Sequence, residues 1–186
     1  MKQIARIMLL ASVFYSTACV PSIHPFFAKG DVYMDANLLG TWSDQDGGET
    51  WTFIYQDDRT YLLTYTDDTG KTGAFTASLF RLGDRSFLDI EPLRSGDRDC
   101  GLYAEHLLSM HSVYLITIDG KKGRLAFLDP KYLKAALESD PTVLAHTVVD
   151  DQIVLTATTE RLKAFLLSSA NKPEAFVMSE TIEKKK

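Results

Sequence analysis

The sequence predicts a mainly β protein, an antiparallel meander forming a barrel or strongly curled sheet, with two short amphipathic helices in the C-terminal half. Three observations predict it. From residue 50 onward, β-branched and aromatic residues alternate with polar ones in short runs, the period of half-buried strands. The connectors between runs are a few polar residues long, too short for a parallel crossover. Two later segments switch to helical apolar spacing, each bounded by capping and stop residues.

Trp51, Phe53 and Tyr55 alternate with Thr50 and Thr52, and Tyr61, Leu63 and Tyr65 alternate with Thr60, Thr64 and Thr66. The polar connector 56–59 should fold these runs into a hairpin. Asp67 to Lys71 is the next turn, followed by a long strand from about Thr72 to Leu82, and Gly83-Asp84 turns it into Phe87 to Glu91. A less regular stretch, Pro92 to Met110, precedes the strand His111 to Ile118, the turn Asp119 to Gly123 and the strand Arg124 to Leu128. Asp129-Pro130 then offers a carboxylate at a helix N-cap and a proline at the first helical position. Tyr132, Leu133, Ala136 and Leu137 share one face of that helix, and Asp140-Pro141 ends it. Val143 to Val149 and Gln152 to Thr156 form a hairpin around Asp150-Asp151. Thr158 or Thr159 caps a second helix with Leu162, Phe165 and Leu166 inward, closing near Asn171-Lys172-Pro173. A final strand, Ala175 to Thr181, returns to the sheet. Roughly eight to ten short strands without alternating helices indicate one barrel-like domain.

The chain has 186 residues, with 20 Lys and Arg against 25 Asp and Glu, and its net charge of −5 shows no basic stripe for nucleic acid. Two cysteines are too few for a disulfide scaffold. The first eighteen residues read as a secretory leader: Lys2 and Arg6 form a positive n-region, Ile7 to Tyr15 a short apolar core, and Ser16, Thr17 and Ala18 a small-residue exit. That core is far shorter than the ~20 residues that cross a bilayer. Cleavage after Ala18 leaves 18 basic against 25 acidic side chains, a formal charge of −7. The expected organisation is a signal peptide at 1–18, a tether at 19–35 with Phe26 and Phe27 as anchoring aromatics, a β domain at 36–182 and a basic tail at 183–186.

Ala18-Cys19 at the cleavage point resembles the lipobox of bacterial lipoproteins, in which the Cys becomes the lipidated N-terminus. Ser16 departs from that pattern, where Leu is usual, which leaves open ordinary cleavage with a free thiol or a Cys19–Cys100 disulfide. Acylation at Cys19 implies a partner, the membrane, held through the lipid anchor. Val20 stands where the inner-membrane retention signal of such lipoproteins carries Asp, so the resemblance implies the outer membrane facing the periplasm.

Leu38-Leu39-Gly40-Thr41-Trp42 resembles the Gly-x-Trp signature of lipocalins and related calycin barrels. The resemblance implies that Trp42 packs across the closed end, that Gly40 permits the close chain entry, and that the barrel can hold an apolar ligand. Only Gly40 and Trp42 carry over: the family's Thr-Asp-Tyr turn motif and its late Arg stacked on the Trp have no counterpart, and two late helices replace its single one.

Trp51, Phe53, Tyr61, Leu63 and Phe75 are the expected inner row, either packed solid or lining a site for a small apolar ligand, since small barrels do both. No catalytic residue, metal ligand or cofactor is assigned. The polar cluster Arg94 to Cys100, with Glu105, His106 and His111, is the one candidate for metal or nucleophile chemistry, yet His106 and His111 are spaced to face apart on a strand. Asp67-Asp68 and Asp150-Asp151 are turn residues first, since Asp suits turns for backbone reasons. The expected function is a membrane-anchored envelope lipoprotein acting as a non-catalytic binding or accessory domain. The alternatives are a protein-interaction lipoprotein docking an envelope protein, and a hydrolase or metal enzyme built on Asp97 to His111.

Overall fold

The computed structural model describes residues 19–57, 59–93 and 107–185. Ten strands and two helices follow one another as β1 (Gly40–Asp44), β2 (Thr50–Tyr55), β3 (Tyr61–Thr66), β4 (Thr72–Leu82), β5 (Arg85–Pro92), β6 (Ser112–Asp119), β7 (Lys122–Leu128), α1 (Pro130–Ser139), β8 (His146–Val149), β9 (Gln152–Leu155), α2 (Thr159–Ser169) and β10 (Phe176–Lys184). Eight of the strands close an antiparallel barrel in the order β1-β10-β7-β6-β5-β4-β3-β2, while β8 and β9 form a separate two-stranded sheet. The meander from β1 to β7 is therefore interrupted by α1, the hairpin and α2 before β10 seals it. No helix among the described residues is long and apolar enough to cross a membrane.

Alternation along the strands divides the apolar residues into two cores. Facing inward are Trp42, Phe53, Tyr61, Leu63, Ala77, Leu79, Leu88, Ile116, Leu125 and Ile182. Facing outward from one side are Phe80 and Leu82 of β4, Phe87 of β5, Val113 and Leu128, and these are covered by Leu133 and Leu137 of α1, by Leu162, Phe165 and Leu166 of α2, and by Val20 and Phe26. Continuous burial of Ala77 to Phe80 and Phe87 to Ile90 follows from this double cover. Each leucine, isoleucine or phenylalanine in these runs, fully removed from water, contributes about 1.5–3 kcal/mol. A barrel wall packed on both faces needs those apolar runs, whereas the β2–β3 wall keeps threonines on its outer side.

The segment 19–35 lies along this wall. Ser22 is hydrogen-bonded to His111 through both backbone groups, Ile23 N–H donates to the Leu155 carbonyl, and Leu155 N–H to that of Pro21, so the segment bridges the start of β6 to the outer hairpin. Further on, Tyr33 N–H donates to Leu79 O and Arg81 N–H to Asp31 O, filling the edge of β4 beyond the reach of β3. Buried Asp89 of β5 fixes the crossing: its carboxylate accepts the Phe26 N–H at 3.0 Å and lies 2.7 Å from His111 Nδ1.

Helix α1 begins as its residues require, with Asp129 Oδ1 accepting the Lys131 N–H at 2.7 Å and Pro130 in the first turn. In α2 the N-cap is Thr158, which makes no side-chain cap bond; Thr159 Oγ1 instead donates to Pro25 O at 2.9 Å and ties the helix to the N-terminal segment. The β8–β9 turn places both Asp150 and Asp151 at positive φ, 49° and 63°, the signature of a type I′ hairpin.

Candidate ligand cavity

Antiparallel order puts the β2–β3, β4–β5 and β6–β7 turns at one end of the barrel, and the β1–β2 and β3–β4 turns at the other. The first end is filled. Gly40 enters it at φ 107°, where a Cβ would stand 3.1 Å from Lys184 Cε. Two residues on, Trp42 is fully buried and its Nε1 donates to Leu38 O at 2.7 Å. Lys184 closes over that ring, its Nζ 5.3 Å from the centroid and donating to Asn37 O at 2.8 Å. A cation does stack on Trp42, supplied by a lysine at the end of β10 rather than by a late Arg.

Toward the second end the packing stops short and leaves a partly open cavity of about 380 Å³. Of the five residues expected inside, Trp51, Leu63 and Phe75 line it. Phe53 and Tyr61 do not: they lie fully buried in the solid part, 6.1 Å apart edge to face, and the Tyr61 hydroxyl exchanges hydrogen bonds with the backbone of Asp35 at 2.7 and 3.1 Å. Burial raises the Tyr61 phenol above its ordinary pKa, so it stays neutral. The row therefore serves both ends, its members nearer the filled end acting as core and the others as cavity wall.

The wall is completed by Tyr65, Ile90, Tyr114 and Phe127, and by two residues that strand periodicity did not single out, Cys19 and Glu180. Cys19 Sγ lies 3.3 Å from the Tyr114 hydroxyl, and its carbonyl accepts from Gln152 Nε2 at 3.4 Å. Burial, with Cys19 next to it, pushes the Tyr114 phenol well up. Glu180 accepts the Trp51 Nε1–H at 3.3 Å. Burial and the neighbouring Glu49 carboxyl raise Glu180 to about 7, with Asp44 adding to the rise and the Trp51 bond opposing it. Glu49, in the β1–β2 turn, keeps Oε2 buried without a hydrogen-bond partner among the described residues, while burial, then a hydrogen bond with the Glu49 carboxyl and its charge, raise Tyr65.

Glu180 reaches the interior because the β7–β10 register shifts between Met178 and Glu180. Phe176 thereby packs on the outer core while Ile182 belongs to the inner one. A bulge of this kind re-aims the side chains after it. One signal was available: Glu180 stands two residues before inward Ile182, on the same side of the strand.

The cluster Arg94 to Cys100, with Glu105 and His106, lies outside the described residues. His111 is described, and is engaged by Asp89 at 2.7 Å and by Glu91 at 3.7 Å from Nε2. Burial pulls its pKa down, but the Asp89 hydrogen bond and the Asp89 and Glu91 charges outweigh that and raise it. Among the described residues, no group of three or more His, Cys, Asp or Glu is placed to hold a metal ion. Asp67 sits in the β3–β4 turn, accepting Thr69 and Lys71 backbone N–H groups at 2.9 Å each, which accounts for it as a turn former. No protein-family model, curated protein or solved structure matches the chain.

Proposed function

We propose that the chain is a membrane-anchored envelope lipoprotein, carried by a Cys19 lipid and facing the periplasm from the outer membrane, whose lipocalin-like barrel is a non-catalytic binding domain for a small apolar ligand. The observation that carries the reading is the half-filled barrel. An interior packed solid at the Trp42 end leaves a cavity of about 380 Å³ at the other, lined by Trp51, Leu63, Phe75, Ile90 and Phe127. Its size lies within the range of ligand pockets, and an apolar lining with few polar groups is what such pockets share. Cys19 lines the same cavity, so in this reading the residue that carries the lipid also borders the ligand. A lipid attached there would set the entrance at the bilayer, where apolar molecules concentrate.

The test is the intact mass of the mature protein extracted from membranes under mild conditions. The expected mass is that of residues 19–186 plus acyl and glyceryl groups, with a further non-covalent increment under native conditions. An uncut chain overturns the lipoprotein reading, and a bare native mass counts against a retained ligand.

A further inference from the structure

We propose that the cavity selects a small organic cation, an apolar body bearing one ammonium group, received by the Glu180 carboxylate, with Glu49 behind it, beside the rings of Trp51, Tyr65 and Tyr114. This rests on the ligand-binding reading above and adds the charge of the ligand to it.

Among the described residues that line the cavity, Glu180 is the only one with a charged side chain, and none is Lys, Arg or His. An acid on an apolar wall is costly unless it is paired, and a protein that needed only to bury hydrocarbon would gain from an apolar residue at that position. Its present partners are one long bond from Trp51 Nε1 at 3.3 Å and the adjoining Glu49 carboxyl, an acid–acid contact that needs a proton to hold it. Beside it, Glu49 Oε2 is buried with no hydrogen-bond partner among the described residues. The pair thus has unused acceptors and lacks a positive charge. The groups that face it are Asp44 from β1, Trp51 from β2, Tyr65 from β3, and Tyr114 with Cys19 nearby, none of them basic. Lys184, four residues on in the same strand, is committed at the opposite end to Trp42 and Asn37.

The rings supply the second half of the recognition. Trp51 meets Tyr65 at 4.9 Å with 61° between planes, and Tyr114 at 5.7 Å with 83°. Rings set edge to face make a corner whose π faces point in different directions, the arrangement that attracts alkylammonium groups. An anionic amphiphile would meet repulsion from both carboxyls, and a neutral one would leave Glu49 Oε2 as it stands. A cation instead replaces the proton that the raised Glu180 carboxyl holds near neutrality, so its entry releases that proton to solvent.

Octylammonium, 1-octanol and octanoate present one apolar tail with three head-group charges. Titrated calorimetrically into the mature full-length protein, octylammonium should bind at least about tenfold more tightly than octanol, and octanoate more weakly than either. Glu180→Gln, which keeps the shape, should erase the octylammonium preference while changing octanol affinity less than about twofold, and Glu49→Gln should reduce it in part. Equal binding of octanol and octylammonium, or a preference that survives in the Glu180→Gln, Glu49→Gln double variant, overturns the charge selection and leaves the apolar cavity standing. Binding of none of the three overturns the ligand-binding reading with it.

Discussion

Asp89 is a polar side chain whose loss the fold should feel strongly. It is buried on the outer face of β5, where it holds both the Phe26 N–H and the His111 ring. Asp89→Ala would leave a backbone donor and an imidazole without their acceptor, and should cost about 3 kcal/mol in urea unfolding. The pH dependence follows from the raised His111 pKa. A histidine whose folded pKa exceeds its unfolded one stabilises fully below about pH 6.5, and that contribution is lost as pH rises through the folded value. The melting temperature should therefore fall across that window, and His111→Gln should flatten the fall. Gly40 is a second sensitive position, because an L side chain is strained at φ 107° and a methyl there would also push Lys184 Cε, 3.1 Å away, aside by a few tenths of an ångström. Gly40→Ala should cost about 1–3 kcal/mol by the same measurement, as strain at a left-handed position does.

At the scale of elements, the β8–β9 turn runs against its own sequence. Type I′ geometry favours Asn-Gly, yet two aspartates occupy it at positive φ. The double variant Asp150→Asn, Asp151→Gly should raise stability by up to about 1 kcal/mol, read as a shift in the urea midpoint with an unchanged slope. The elements were largely legible because their signals are local: the strand expected from about Thr72 to Leu82 spans that range, and Asp129-Pro130 and Asp140 bound α1. What periodicity could not show is which elements meet. Nothing in Val20, Phe26 or the apolar face of α2 announces that they cover the outside of β4, β5 and β6, because that contact joins residues far apart along the chain. The cavity was half legible for the same reason. Trp51, Leu63 and Phe75 follow from alternation, whereas Cys19 reaches Tyr114 across 95 residues and Glu180 is aimed inward by a register shift.

For the whole molecule, the acid in the cavity sets a second pH window, distinct from that of His111. Glu180 is raised to about 7 in the folded state, while an unfolded glutamate titrates near 4.3. Below the unfolded value both states are protonated. Between there and about 7 the folded state holds the extra proton, so stability declines as pH rises and levels off above. Glu180→Gln should remove this slope and melt higher than the parent at pH 8, by a modest margin because the group is partly exposed and solvent screens it. Thermal melts of the two proteins from pH 4 to 8 check this, and parallel curves throughout would refute the assignment of the acid to the interior.

Strand β10 is hydrogen-bonded to β1 on one flank and β7 on the other, although the chain between β7 and β10 is occupied by two helices and a hairpin. The ring of hydrogen bonds therefore cannot be completed during synthesis until residues 176–184 have emerged, and until then two ladders of unpaired amides are displayed to every neighbour. A chain arrested before that point is a template for intermolecular pairing rather than a smaller version of the domain, which makes the last strand the checkpoint between a soluble product and an aggregate.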